Sequence, residues 1–362
     1  LRLDRRRLMQ KEALERIREL GFPTRKSEDW LGYPVARFTN LKSLGFIREN
    51  VSAPEIAHIA CPAISGTGLS PENFGIASET SLPALLPIAF GAKPFVQEVA
   101  PGKSENGILK AHDEFSHMVF RIGDGAKVSL EILENRIERE VSAERLDFFV
   151  GENAELELFS TESGHASETK FRSIRIRQQK NSRVHILDLN NTDSLRRIDL
   201  SASLDGEGAE FGFRHLNIVG KTSSEYDFIR VLHNAPKCKS RQFVRNLVSD
   251  AASVSYDGGV IAGKDCPGTD SSELVNTLLL SDDAKVFVKP TLKIYHDDVT
   301  CSHGNTVGAL DSESIFYLES RGIDKKRAEV LLIRAFAKDI IAEHPFPAGK
   351  HRLSAVLDAM FR

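Results

Sequence analysis

Four short stretches of alternating apolar and polar residues decide the fold: AKVSL at 126–130, AELEL at 154–158, SRVHI at 182–186 and AEFGF at 209–213. Each begins with a small residue just after a Gly, Asn or Asp, and successive stretches start 28, 28 and 27 residues apart. ASVSY at 252–256 and AKVFV at 284–288 follow the same pattern. The alternation predicts short strands. A fixed period with one strand signal per copy predicts a solenoid in which each coil packs its face against the next.

Evenly spaced strands also occur in β-sandwiches, so the spacing alone leaves that architecture open. The chain before the repeats differs from them. Residues 4–20 have a helical apolar period that ends at Gly21, and Pro23 prevents its continuation. Residues 52–101 are rich in Pro, Ser, Gly and Ala, which predicts loops and short helices.

The chain after the repeats returns to a helical period. Asp311 or Ser312 is a suitable N-cap for a helix through Leu318, and Asp324 for a longer one that ends near Glu343. The apolar residues of the second helix cover more of its surface than one core-facing stripe would. This pattern fits a helix with one side on the end of the solenoid and the other on a partner. It also fits a cap that packs on both sides within one chain.

Composition limits the function classes. The 362 residues have a formal net charge of −3 and no long basic run, which argues against a nucleic-acid partner. The absence of a run of 18 apolar residues argues against a membrane-spanning helix. The four cysteines, Cys61, Cys238, Cys266 and Cys301, form no CxxC pair, which suits a reducing cytoplasm and excludes a closed site built from local cysteine motifs. A metal cluster would therefore need ligands from another chain.

Cys301 and His303 are the residues whose types best suit metal or sulfur chemistry. In an extended strand they would point to the same face, together with Asp297 and Val299. A thiolate beside an imidazole suits iron, zinc or copper(I). Because cysteine also packs as a small apolar residue, the spacing alone leaves a structural role open.

Two other groups of residues are partly similar to binding sites. GGVIAGKD at 258–265 is close to the phosphate-binding loop motif, but Asp265 occupies the position at which Ser or Thr would bind magnesium. We interpret its glycines as a solenoid turn and expect no nucleotide to bind this chain itself. His185, His215 and His233 fall in or near predicted strands, where we expect packed or solvent-facing residues rather than ligands.

Two segments at opposite ends of the chain resemble the SufD branch of the SufB/SufD family, which belongs to the SufBCD iron–sulfur cluster assembly complex. The first is GFPTRK at 21–26 with EDW at 28–30, and the second runs from Lys289-Pro290 through CSHG at 301–304 and FYL at 316–318 to SRGI at 320–323. The resemblance implies a mainly β protein whose core is a right-handed parallel β-helix. It implies an N-terminal helical and loop region at 1–100, a β-helix core at 101–308 and a C-terminal helical ATPase-docking region at 309–362.

The resemblance also implies a function, that of a non-enzymatic scaffold subunit. Such a subunit pairs with a SufB-like paralogue and docks a SufC-like ABC ATPase through its C-terminal helices. A transient Fe–S cluster would form at the interface with the partner chain, with His303 and Cys301 as cluster residues. ATP binding would rearrange that interface and expose them. The expected partner-binding residues are Phe316, Tyr317, Arg321 and Phe336.

Two other functions remain open on the sequence. One is a homodimeric β-helix scaffold that uses the same edge of the solenoid. The other is a carbohydrate-acting β-helix enzyme, which would need a groove lined with aromatic side chains. Aromatic residues are only 7% of the chain, and its single Trp, Trp30, lies outside the repeats, which argues against the enzyme.

Overall fold

The computed structural model describes residues 2–24, 26–30, 33–36, 41, 44, 76–110, 114–133, 140–164, 168–341 and 347–360. Helix α1 (Arg2–Leu20), short 3-10 turns at Glu28–Trp30 and Ile76–Ser78, and helix α2 (Leu82–Ala89) precede the strands. After the strands come α3 (Ser312–Ser320), α4 (Lys325–Lys338), a 3-10 turn at Asp339–Ile341 and α5 (Pro347–Met360). In order, strands β1 to β16 are Pro94–Val99, Ser104–Lys110, Phe115–Ile122, Lys127–Leu133, Val141–Val150, Glu155–Gly164, Thr169–Gln178, Arg183–Thr192, Leu195–Leu204, Glu210–Val219, Ser224–His233, Lys239–Val248, Ser253–Ala262, Thr269–Leu279, Lys285–Ile294 and Val299–Gly308.

The strands form a parallel β-solenoid with two strands in each coil. The odd-numbered strands make one eight-stranded sheet in the order β1-β3-β5-β7-β9-β11-β13-β15, and the even-numbered strands make the other. Neighbours in each sheet pair in parallel. The architecture confirms the solenoid predicted from the repeats and excludes the sandwich.

A repeated turn explains why the repeats begin with a small residue. One residue in the left-handed conformation stands one or two positions before each of the even-numbered strands β2 to β14, as at Gly125, Asn153, Asn181 and Gly208, with φ of 65, 55, 53 and 73°. Gly and Asn adopt this conformation at low cost. The next residue turns into the interior, where space is small: Ala126, Ala154, Ser182 and Ala209 are all fully buried. Cys238 follows Lys237 (φ 58°) and fills the same position one coil later.

The N-terminal helices lie on the outer face of the odd-numbered sheet. Trp30 packs edge-on against Tyr33, at 4.9 Å between ring centroids, and the guanidinium of Arg197 lies 4.1 Å from the Trp30 ring centroid. Arg197 also donates to the backbone oxygen of Asp29 at 2.8 Å. Helix α1 ends at Gly21, whose φ is +68°, and this confirms the predicted N-terminal helix and its end.

The C-terminal helices lie on the outer face of the even-numbered sheet. Ile340, Leu353 and Leu357 pack there against a row of outward-facing leucines that includes Leu187 and Leu216. The interpretation of these helices as a cap on the end of the solenoid is therefore wrong. Because the helices pack on the leucine row, they lie along the side of the coils. The last coil is therefore largely exposed to solvent.

The predicted helix starts are confirmed. Asp311 caps α3 by accepting from the backbone N–H of Ser314, and Asp324 caps α4 by accepting from that of Arg327. Sequence patterns did not predict α5. Among the described residues, no helix combines the length and the apolar character needed to cross a bilayer.

Candidate functional site

Cys301 and His303 lie on β16, the last strand of the even-numbered sheet. Its neighbour on one side is β14, with Ser271 opposite Cys301 and Glu273 opposite His303 in the parallel register. Cys301 is half-buried and His303 is exposed. The pair therefore stands at the open end of the solenoid, above a column of inward-facing polar side chains.

The column below Cys301 is a chain of hydroxyl groups. Ser271 and Ser240 lie 2.8 Å apart between their oxygens, and the Ser240 oxygen lies 2.9 Å from Nε2 of His233. Burial raises the pKa of the Cys301 thiol, and Asp270 and Cys266 raise it further. The thiol thus holds its proton at neutral pH, and a metal ion that binds the sulfur must displace it.

The group below His303 is a buried carboxyl. Glu273 is 2% exposed, and neither of its carboxyl oxygens has a hydrogen-bond partner among the described residues. Burial raises its pKa to about 7; Arg230 lowers it and Asp257 raises it. A Cβ at Gly258 would lie 2.5 Å from Oε1 of Glu273, so the glycine leaves room for the carboxyl.

That contact corrects the interpretation of the GGVIAGKD run. Gly258 and Gly259 lie inside β13, not at a turn. A Cβ at Gly259 would come within 2.9 Å of Cδ of Arg230. Both glycines therefore give space to side chains of neighbouring strands, and only the end of the run lies at a corner.

Asp297 and the other described cysteines are not on β16, although Cys266 is close enough to Cys301 to raise the pKa of its thiol. Strand β16 begins at Val299, so Asp297 lies outside the strand face that Val299 and Cys301 share. The Sγ atom of Cys238 donates to the backbone oxygen of Gly206 at 3.3 Å, and burial raises its pKa to about 11. Cys266 is also buried and donates to Gly263 O at 2.8 Å. Cys61 lies outside the described residues.

The residues predicted to bind a partner lie on α3, at its C-cap and on α4. Phe316 and Tyr317 are 72% and 57% exposed, and the Arg321 guanidinium lies 5.3 Å from the Tyr317 ring centroid. Phe336 is half-buried, packs toward the leucine row, and has the Arg245 guanidinium 4.6 Å from its ring centroid. The first three thus form an exposed surface, while Phe336 holds α4 to the solenoid.

A buried ionic cluster inside the solenoid was missed by sequence reasoning. Arg196 is fully buried and contacts Asp188 and Glu225, both at 2.9 Å. Nδ1 of His215 lies 2.9 Å from Asp188, and Nε2 lies 3.3 Å from Asp227. The signal in the sequence is a set of polar residues at inward positions of successive strands, where the repeats otherwise place Val, Leu or Ile.

The pKa values of His215 and Glu225 are both raised in the cluster, for different reasons. Burial disfavours the charged form of His215, but Asp227 and Asp188 outweigh it and raise the imidazole pKa well above its ordinary value. Burial raises the pKa of Glu225 to about 7 against the opposing effect of Arg196. His233, which has no such carboxyl contacts at its ring, has its pKa lowered to about 4 by burial.

The open end can supply one sulfur and one nitrogen to a soft or borderline metal. Tetrahedral iron and zinc sites use four ligands. Cys301 and His303 therefore fit a part of such a site, which needs two further ligands.

Comparison with known proteins assigns a large part of the chain to one domain family. Residues 105–336 match the family profile described as SUF system FeS cluster assembly, SufBD core domain. An iron–sulfur cluster assembly SufBD family protein of Synechocystis is 29% identical over 207 residues, which cover 57% of this chain and 46% of that protein.

Two further relatives match shorter regions. The iron–sulfur cluster assembly protein SufD of Escherichia coli is 38% identical over 144 residues, or 40% of this chain and 34% of that protein. A SufBD family protein of Mycobacterium bovis is 34% identical over 134 residues, or 35% of this chain and 34% of that protein. The chain thus spans less than half the length of these relatives.

Proposed function

This chain belongs to the SufBD family of the SUF iron–sulfur cluster assembly system, and we propose that it is a non-enzymatic scaffold subunit on which nascent clusters form. The observation that supports the proposal is the placement of Cys301 and His303 together on the open last coil. Two ligands at a solvent-facing end are too few for a stable resident site. They suit a cluster that is a transient cargo, bound while a second chain supplies the other ligands.

The edge of the last coil is a suitable surface for a SufB-like paralogue. Strands β15 and β16 end their sheets and leave backbone groups free for pairing in the described structure. Exposed apolar side chains accompany them: Phe287 is 48% exposed and Val307 is 50% exposed. An apolar edge with free strand groups is the kind of surface on which a second solenoid can continue the sheets. A cluster between the two chains would then lie beside His303.

The surface formed by Phe316, Tyr317 and Arg321 is a suitable place for a SufC-like ABC ATPase. Large exposed aromatic side chains with an arginine are typical of binding hot spots. Only three residues, 309–311, separate β16 from α3. A force applied by the ATPase to α3 therefore reaches the strand that bears Cys301 through a short connection.

Co-purification tests the docking surface. The chain is co-expressed with a SufC-like ATPase and a SufB-like protein from the same genome, as wild type and as Phe316→Asp. We expect the ATPase to co-purify with wild type and to be lost with Phe316→Asp. Ile108→Asp is the matched control, since Ile108 is 58% exposed on β2 at the opposite end. Loss in both variants, or in neither, would contradict docking at α3.

Cluster formation tests the open end. In the complete complex under anaerobic conditions, we expect His303→Ala and Cys301→Ser each to reduce the iron and sulfide recovered per complex by at least fivefold. Ser302→Ala, a change at the exposed residue between them, serves as the control and should keep the wild-type yield. A wild-type yield from His303→Ala would remove the cluster role and leave the family assignment intact.

The homodimeric scaffold is the competing arrangement. It would use the same β15 and β16 edge, so the two proposals differ in the partner that is preferred. A mixture of the chain with the SufB-like protein distinguishes them by mass. A heterodimer that forms at the expense of the homodimer supports the proposal, and a homodimer that persists contradicts it.

A further inference from the structure

A group of three potential metal ligands lies inside the solenoid, away from the open end. His215 is on β10, and Glu225 and Asp227 are on β11, the next strand of the same coil. All three side chains face inward and are at most 2% exposed. One imidazole nitrogen and one oxygen from each carboxyl lie within 4.8 Å of one another.

The distances between these atoms fit ligands of one ion better than they fit hydrogen bonds. Nε2 of His215 lies 3.3 Å from Oδ1 of Asp227 and 3.7 Å from Oε1 of Glu225. Charge-assisted hydrogen bonds are shorter, about 2.7–2.9 Å. Metal–nitrogen and metal–oxygen bonds of about 2.1 Å place tetrahedral neighbours about 3.4 Å apart. Nε2 of His215 and Oδ1 of Asp227 also have no hydrogen-bond partner among the described residues.

The opposite atom of each side chain is held by another buried residue. Nδ1 of His215 faces Asp188 at 2.9 Å. The other Glu225 oxygen accepts from Asn190 at 2.8 Å, and the other Asp227 oxygen accepts from Asn217 at 3.2 Å. Outer contacts of this kind orient the ligands of metal sites. The facing Glu225 oxygen also accepts from Arg196 at 2.9 Å, so that carboxyl is shared.

Carboxyl groups outnumber the arginines in this part of the interior. Five carboxyl groups are joined there by ion pairs: Glu144, Glu162, Asp188, Glu225 and Asp227. The arginines beside them are Arg172 and Arg196. Because an unbalanced buried charge is costly, this excess of carboxyl groups must be balanced by bound protons or by a bound cation.

We propose that His215, Glu225 and Asp227 bind one divalent transition-metal ion in the interior of the solenoid. One imidazole and two carboxylates are a mixed nitrogen and oxygen donor set, which suits Fe²⁺, Mn²⁺ or Zn²⁺ and is a poor match for Cu⁺. The ion replaces protons between two strands of one coil. It therefore fastens β10 to β11, and it is distinct from a cluster held at Cys301 and His303.

The test uses the full chain with Cys301→Ser and His303→Ala, so that the open end contributes no ligands. The chain is depleted of metal and then equilibrated anaerobically with Fe²⁺. We expect one Fe²⁺ per chain, with an affinity that falls at least tenfold in His215→Gln and in Asp227→Asn. Mg²⁺ at the same concentration should bind at least tenfold more weakly than Fe²⁺, because it prefers all-oxygen sites.

His233→Gln is the matched control, since His233 is also buried and inward-facing on β11 but contacts the Ser240 hydroxyl. It should keep the affinity within twofold. Co²⁺ provides a readout of coordination, since its visible absorption should appear in the chain with intact His215 and be absent in His215→Gln. A folded chain with His215 intact that takes up no stoichiometric Fe²⁺ would overturn the proposal. Equal uptake by His215→Gln would do the same.

Discussion

His303 lies one strand above Glu273, in parallel register and on the same face of the even-numbered sheet. The imidazole is exposed, while the carboxyl below it is buried without a hydrogen-bond partner among the described residues. A carboxyl in that environment favours its neutral form. The Glu273 carboxyl beneath the proposed cluster site is therefore uncharged at the lower end of the physiological pH range.

Glu273→Gln should make the chain more stable at alkaline pH. The pKa of Glu273 is raised to about 7, so between about pH 5 and 7 the folded chain holds a proton that the unfolded chain has released. The free energy of unfolding of wild type therefore falls as pH rises through this window. We expect the advantage of the variant to grow by about 2 kcal/mol from pH 5 to pH 8. Urea unfolding at several pH values measures it.

The control for that titration is Glu152→Gln, a change at an exposed glutamate. It removes one carboxyl at the surface and is measured over the same pH values. A difference between Glu273→Gln and wild type that does not change with pH would show that the Glu273 carboxyl is ionised in the folded chain at neutral pH.

Changes at the open end should leave stability nearly unaltered. His303 is exposed and Cys301 is half-buried on a strand that has one neighbour, so few contacts are lost in His303→Ala or Cys301→Ser. We expect the free energy of unfolding to change by less than about 0.5 kcal/mol for His303→Ala. A thermal melt of each variant checks this. A large loss of stability would attribute any failure of cluster formation to misfolding.

The C-terminal helices allow packing and docking to be separated. Leu353 is fully buried against the leucine row, so Leu353→Ala should lower stability by about 3 kcal/mol and loosen α4 and α5. Phe316→Ala removes an exposed ring and should change stability by less than about 0.5 kcal/mol. Denaturant unfolding gives both values. Equal effects of the two changes would mean that Phe316 packs within the chain in solution.

The N-terminal helices should detach when Trp30 is removed. Trp30 is 8% exposed and covers the guanidinium of Arg197. Trp30→Ala should cost about 3 kcal/mol and make α1 accessible to limited proteolysis. Phe95→Ala, at an aromatic residue that is 57% exposed, is the control. Equal protection of α1 in wild type and Trp30→Ala would contradict this role.

The repeats in the sequence mark six of the sixteen described strands, namely β4, β6, β8 and β10 and the odd-numbered β13 and β15. Even-numbered strands follow a left-handed turn and a small buried residue, as at Asn153 and Ala154, and this gives a readable period. The odd-numbered strands β11 and β13 have a left-handed residue, Lys221 and Asp250, three residues before they start, so the turn is not followed directly by the small buried residue. Some odd-numbered strands also place charge inside, as β7 does with Arg172, which breaks the expected apolar alternation.

Only a part of the candidate site could be predicted from the sequence. Cys301 and His303 are close in sequence, so their common strand was predictable. Glu273 is 30 residues from His303, and only the length of one coil brings them together. The contact of His215 with Asp188 depends in the same way on the coil register, and its contact with Asp227 joins two strands of one coil. A single sequence shows the period but does not show which polar residues meet across it.

The one-sided position of β16 has a consequence for local opening. In a stacked array each coil is stabilised by its two neighbours, and the terminal coil has only one of these interfaces. Amide hydrogens of β16 should therefore exchange with solvent faster than those of β10, by transient release of the last coil rather than by global unfolding. The residues proposed to receive iron and sulfur lie on the segment that opens most readily, and a second solenoid joined to that edge would slow its exchange.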